Sequence, residues 1–160
     1  MYTPKYIRPH ELVPKHIYEH AKKLGNLSKI YFLFNPVVLL TCDLLRKRYG
    51  PITINNWQYG GGLQYRAWRP FDCTQGAAFS LHKSGNAIDA NFKNATAEEI
   101  RQEMLKDGAN KKGYRSNTKL AHFEHIHRVE HRLKGKAISW FHFDIGNMYD
   151  PEGSIIFLEI

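Results

Sequence analysis

Cysteine is nearly absent from this chain: its 160 residues include two, Cys42 and Cys73. One lies in the apolar run Val37 to Leu45 and the other in a polar stretch, so they form no disulfide framework, and both read as free thiols with Cys42 in the core. No apolar run approaches the roughly 20 residues of a membrane helix, which predicts a soluble protein without a membrane span. A signal-peptide core is also missing, because Pro4, His10, Glu11, Pro14 and Glu19 interrupt the N-terminal stretch. Acidic residues number 15 against 23 lysines and arginines, and the formal net charge of +8 favours an anionic partner such as nucleic acid, a membrane surface or an acidic wall polymer. No recognised nucleic-acid motif accompanies that charge, so nucleic acid is not the expected partner.

What is present describes a globular chain. Hydrophobic residues at 42% and aromatics at 13% can build a core, and the length fits a single domain over 1–160, helical over 1–50 with the remainder over 51–160. The spacing predicts a helix from Pro14 to Lys23, with lysines in its last turn and Gly25 beyond it. His16 and His20 could share a face of that helix, but no intervening glutamate makes a metallopeptidase helix, and they read as surface residues. Asn35-Pro36 is a cap followed by proline at the first helical position, so a core helix should run to about Tyr49 before Gly50-Pro51. Pro51 to Trp57 alternates as a strand, and Thr96-Ala97-Glu98-Glu99 is a capping box opening another helix. Lys106 to Thr118 reads as an exposed basic loop.

Chemistry concentrates in Ser80-Leu81-His82-Lys83-Ser84-Gly85-Asn86-Ala87-Ile88-Asp89, which sets a histidine and a carboxylate on either side of a turn. In the following strand Ala87, Asp89 and Asn91 share one face, and Ile88, Ala90 and Phe92 share the other. Neutral imidazole and carboxylate both suit a borderline cation such as Zn2+, and a catalytic zinc site typically uses three protein ligands and keeps a position for water. The same residues, taken alone, also describe a polar turn with His82 and Asp89 solvated.

Ser-x-His-x-x-Gly-x-Ala-x-Asp is similar to the zinc-binding signature of the D-alanyl-D-alanine carboxypeptidase and hedgehog superfamily, which includes phage endolysins that cut peptidoglycan cross-links. All five fixed positions match. The resemblance implies that His82 and Asp89 are zinc ligands. Trp140-x-His142-x-Asp144 resembles the family's other signature, which makes His142 the third ligand. An arginine before the zinc motif helps to hold substrate in the family; Arg66 in Tyr65-Arg66 looks like its match, with Arg69 in reserve. The family commonly places a glutamate base three positions before the last histidine, where this chain has Ser139. Val129 to Leu133, the turn Lys134-Gly135-Lys136 and the strand Ala137 to Ile145 read as a hairpin, and a turn centred near Gly135 or Lys136 brings Glu130 opposite His142. Glu130 is therefore the expected base. The run His122 to His127 is a rival metal cluster; as a strand it would put His125 and His127 on one face and His122 on the other, which argues against one compact site. His127 or His131 could still hold a proton near the metal.

The expected fold is α+β and hedgehog/DD-peptidase-like. N-terminal helices and one crossover helix flank a mostly antiparallel sheet that ends in Ser154 to Ile160. The implied function is a zinc metallopeptidase hydrolysing peptidoglycan stem peptides or cross-links, as a phage lysin or virion-associated enzyme. It would reside in the cytoplasm of an infected bacterial host with release to the cell wall, or in the virion, with peptidoglycan peptide as substrate and other virion proteins as further partners. The alternative, motivated by Ser139, is a phage structural or binding protein that keeps the fold, with or without the metal, but is impaired in catalysis.

Overall fold

Local sequence signals set the helix starts. The structure, a computed structural model, describes residues 2–107, 120–133 and 135–146, together with the backbone of a strand over Ile156–Glu159. Pro9–Leu12 forms one helical turn (α1), and Lys15–Lys23 follows as α2 with Pro14 as its N-cap. His16 and His20 are exposed on α2, as a solvated face requires. A 3-10 segment over Leu27–Leu33 leads to α3, Pro36–Tyr49, whose cap Asn35 accepts a hydrogen bond from the Val37 amide at 3.1 Å. Helix α4 spans Ala97–Lys106 with both halves of its capping box formed between Thr96 and Glu99.

The strands are β1 (Ile52–Thr53), β2 (Ala87–Phe92), β3 (Arg128–Leu133), β4 (Lys136–Ala137), β5 (Phe141–Asp144) and β6 (Ile156–Glu159). Five of them form an antiparallel sheet ordered β1-β2-β5-β3-β4, and β6 adds alongside β3 in parallel. The α+β class and the mostly antiparallel sheet are thus as the patterning predicts. Helix α3 packs against β2 and α4 against β5. The inward faces of the two central strands supply Ile88, Ala90, Phe141 and Phe143, all fully buried beside Val38, Leu39 and Leu45 of α3 and Ile100 and Met104 of α4. Burial of each phenylalanine ring contributes up to about 3 kcal/mol. That apolar layer fixes which face of β2 and β5 points the other way.

Three segments depart from the sequence pattern. The strand expected over Pro51 to Trp57 is paired only at Ile52–Thr53. Asn55 ends the pairing: its amide donates to the Glu11 carbonyl at 3.2 Å, its side-chain nitrogen donates to the Val13 carbonyl at 3.3 Å, and its side-chain oxygen accepts from the Arg66 amide at 3.0 Å. Likewise the strand expected over Ala137 to Ile145 breaks at Ile138-Ser139-Trp140 between β4 and β5. The buried guanidinium of Arg101 on α4 holds that break, donating to the Ile138 carbonyl at 3.3 Å and the Trp140 carbonyl at 2.7 Å. The histidine-rich run is a turn over residues 121–125 rather than a strand, anchored by buried Phe123 and Ile126. Of the remaining expectations, the basic loop beyond Asp107, Lys134 of the hairpin turn, and Ser154, Ile155 and Ile160 of the last strand lie outside the described residues.

Candidate metal centre

The turn that carries His82 is built around Gly85. Its φ of 69° belongs to the left-handed region, and a Cβ there would meet the Leu33 carbonyl oxygen at 1.9 Å. The Asn35 amide donates to the Gly85 carbonyl at 3.1 Å, so the start of α3 and the turn are tied together. His82 leaves the turn with Nδ1 2.8 Å from the Ala67 carbonyl oxygen, the geometry of an imidazole N–H donating to a backbone acceptor. Its Nε2 lies 3.5 Å from Asp89 Oδ2.

Asp89 comes from the sheet itself. In the β2–β5 ladder Asp89 pairs directly with His142, and Asp89 Oδ1 lies 2.7 Å from His142 Nδ1. Antiparallel partners bring their side chains within a few ångströms on one face. The other nitrogen of His142, Nε2, is 3.5 Å from Asp144 Oδ2. Asp144 is fully buried, accepts from Arg128 Nε at 2.9 and 3.0 Å and from the Gly146 amide at 3.0 Å. A carboxylate behind a ligating imidazole, itself fixed by further hydrogen bonds, sets which nitrogen is presented to a metal.

His82, Asp89 and His142 are buried, and one ligand atom from each lies within 4.8 Å of the other two. This is the one such group among the described residues, so the histidine-rich run makes no second cluster there. His122 instead places Nε2 3.2 Å from the Tyr49 hydroxyl, and burial pushes its pKa down. These three side chains line a cavity of about 630 Å³, shared with Arg69, Glu130 and Trp140. Glu130 Oε2 is 3.6 Å from His142 Nδ1. The β3–β5 pairing of Arg128 with Asp144 accounts for this, since that register carried two residues along sets Glu130 opposite His142; the β3–β4 register, with Leu133 on Lys136 and Arg132 on Ala137, would set it opposite Ser139, and the break at Ile138 to Trp140 makes the shift. Ser139 is exposed, lies in the break before β5 and borders a different cavity.

Carboxylates of Asp89, Glu130 and Asp144 and guanidinium groups of Arg69 and Arg128 line the cavity, so a cation is favoured there as it displaces the proton of His142. Burial opposes ionisation of Asp89, yet the neighbouring imidazoles of His82 and His142 outweigh it and hold the carboxyl well below the usual carboxylate range. Burial would also strip a proton from His142, but hydrogen bonds to Asp144 and Asp89 and the charge of Glu130 prevail and push its pKa up to about 9. A buried group of two imidazoles and one carboxylate, with one imidazole nitrogen turned toward the carboxylate and open space beside it, has the donor chemistry of a three-ligand metal site.

The two arginines divide the neighbourhood. Arg69 Nη2 is 3.2 Å from Asp89 Oδ2, while its Nε donates to the Tyr65 carbonyl at 2.6 Å. Arg66 donates to the Asn91 side chain and lies over the Trp140 ring at 5.8 Å, lining an adjoining pocket of about 270 Å³ that shares Arg69, Asp89 and Trp140 with the larger cavity. Asn91 in turn donates to the Ser139 carbonyl at 3.0 Å. Arg101, Arg128 and the Ala67 carbonyl carry no signal in the sequence pattern, because each acts through a partner distant in the chain. No helix in the described residues is by itself long and apolar enough to cross a membrane. No protein-family profile matches the chain, nor does any curated protein or solved structure.

Proposed function

We propose that this protein is a zinc metallopeptidase that hydrolyses peptidoglycan stem peptides or cross-links, with a hedgehog/DD-peptidase-like fold, acting as a phage lysin or virion-associated enzyme. The observation that carries this reading is the buried His82, Asp89 and His142 group at the wall of a cavity that also holds Glu130. The signature resemblance of Ser80 to Asp89 adds the reaction class, and the net charge of +8 suits an anionic wall.

In this reading His82 Nε2, an oxygen of Asp89 and His142 Nδ1 hold Zn2+. Bound there, the ion supplies Lewis-acid polarisation of a peptide carbonyl and activation of water near neutral pH. Glu130, beside His142 on the cavity wall, accepts the proton of the attacking water and passes it to the leaving amine. Asp144 and Arg128 keep His142 turned so that Nδ1 faces Asp89. Arg66, in the adjoining pocket, and Arg69, at Asp89, offer planar donors for a peptide carboxylate or carbonyl. Ala67 orients His82 through its carbonyl.

Metal analysis paired with amine release from purified peptidoglycan tests the proposal. Bound zinc and new amino groups are expected, both lost on chelation. Zinc without release of peptide or amine, in a folded protein, would instead make the chain a binding or structural protein that retains the site.

A further inference from the structure

The 3-10 turn Trp57–Tyr59 presents a cluster of rings that the metal site does not use. His10 lies edge-on to Tyr18, Trp57 and Tyr59, with ring centroids 6.0, 6.5 and 5.9 Å away, and Tyr18 and Trp57 meet at 5.5 Å. Trp57 is fixed by its indole N–H, which donates to the Val13 carbonyl at 2.9 Å. Tyr59 is 77% exposed, although its hydroxyl meets His10 Nε2 at 3.4 Å and the two rings stand edge-on. Large aromatic rings usually lose most of their surface to water exclusion, so a supported but open ring offers itself to a partner.

The turn is pinned by hydrogen bonds. Asn56 meets Leu63 across the loop twice: its amide donates to the Leu63 carbonyl at 2.9 Å, and its side-chain oxygen accepts from the Leu63 amide at 2.8 Å. A Cβ on Gly61 would meet the Asn56 side chain at 2.2 Å, so only glycine lets the loop close this tightly. An aromatic platform held in place before binding loses little entropy on binding. The platform also leads to the metal centre. Gly62, Leu63, Gln64 and Tyr65 line the pocket that contains Asp89, and Gly62 is three residues from Tyr59, a reach of at most about 11 Å along the chain.

We infer that Tyr59, supported by His10 and Trp57, is a saccharide-stacking subsite that holds the glycan strand of peptidoglycan while an attached peptide enters the metal cavity. A pyranose ring suits this surface. Its axial C–H face is apolar and lies flat on an aromatic ring, while its equatorial hydroxyl and acetamido groups meet polar groups at the rim such as the exposed Gln58 and the Tyr59 hydroxyl held by His10. The inference rests on the proposed reading for its choice of glycan, but its test does not depend on hydrolysis.

The probe is a soluble β-1,4-linked N-acetylglucosamine tetrasaccharide, titrated by calorimetry against the full chain. Saturable binding is expected for the wild type, weakened about tenfold or more in Tyr59→Ala, the loss of one stacked ring. Binding to His10→Ala, which leaves Tyr59 present but unsupported, should fall by a smaller factor. Zinc content and release from an isolated stem peptide should stay unchanged in Tyr59→Ala, whereas release from intact peptidoglycan should drop. No saturable binding by the wild type, or equal binding by Tyr59→Ala, would overturn the subsite and leave the peptidase reading intact. Tetrasaccharide binding that depends on Tyr59, in a protein that releases no peptide, would support the subsite and sink the peptidase reading alone.

Discussion

Asp89 and His142 stand directly opposite one another on neighbouring antiparallel strands, with Asp89 Oδ1 2.7 Å from His142 Nδ1. Two of the three candidate ligands are therefore set by strand register. Side chains alternate along a strand, so a slip of one residue would turn either ligand into the core and bring Ile88 or Phe143 to the cavity. The buried layer of Ile88, Ala90, Phe141 and Phe143 opposes that slip, so the hydrophobic core fixes the geometry of the candidate site. His82 joins from a loop and relies on the Ala67 carbonyl and the Gly85 turn for its aim.

Zinc binding should fail when any one of these ligands is removed. His82→Ala, Asp89→Ala and His142→Ala are each expected to lose zinc affinity by more than the roughly tenfold to hundredfold typical of a group that only supports a ligand. Asp144→Asn, behind His142, should fall within that lower range. Metal analysis reports the loss directly, and added zinc should raise the melting temperature of the wild type but not of the ligand variants. Unchanged zinc content in Asp89→Ala would remove the site.

Glu130→Gln keeps the shape of the side chain and removes its basicity. Its Oε2 is 3.6 Å from His142 Nδ1, close to the metal centre without being one of the clustered ligands. Peptide release should therefore fall by about 10²- to 10⁴-fold, the usual contribution of a general base, with zinc retained. Equal rates in Glu130→Gln and wild type would take Glu130 out of the mechanism.

The features that were legible in the sequence are those whose cause is local. Asn35-Pro36 and Thr96 to Glu99 start helices through contacts within one turn, and the alternation in Ala87 to Phe92 sorts Asp89 from Ile88 without reference to the rest of the chain. The approach of Glu130 to His142 is legible only in part: the hairpin pairs Leu133 with Lys136 and Arg132 with Ala137, a register that points Glu130 at Ser139, and the break before β5 shifts it by three residues to His142. Distant partners hid the rest. The short β1 depends on Asn55 meeting Glu11 and Val13, and the break at Ile138 to Trp140 depends on Arg101 reaching across from α4. Which of Arg66 and Arg69 reaches Asp89 is likewise decided by tertiary placement, and the guanidinium that does so is that of Arg69.

Arg101 illustrates how such a hidden contact should behave under mutation. Its guanidinium is buried, 2% exposed, and donates to the carbonyls of Ile138 and Trp140. Arg101→Met preserves much of the volume but leaves those carbonyls without these donors. A cost of roughly 2–4 kcal/mol in chemical denaturation is expected, less than the loss of two buried hydrogen bonds to a charge would suggest, because the burial cost of the charge disappears with it. Zinc affinity should weaken as well, since the break precedes His142 by only two residues at Trp140. A stability change under about 0.5 kcal/mol, the scatter of ordinary surface substitutions, would show that the break holds without Arg101.

Acid sensitivity should come in part from a cluster remote from the metal. Glu103 on α4 accepts from Arg48 Nη2 at 2.7 Å and from the Tyr49 hydroxyl at 2.8 Å, both on α3. Burial opposes its ionisation, but these two donors outweigh it and hold the carboxyl below its ordinary value of 4.5. A glutamate whose folded pKa is depressed stabilises the fold fully above its unfolded pKa, and the contribution is lost as the pH falls through the folded one. The link between α3 and α4 is therefore intact at neutral pH and weakens in acid below 4.5. Glu103→Gln, which cannot ionise, should lower stability at neutral pH and flatten the acid limb of the stability curve relative to wild type. Denaturation midpoints measured at neutral pH and at about pH 3.5 check this; parallel curves for the two proteins would mean that Glu103 binds its proton equally in the folded and unfolded chain.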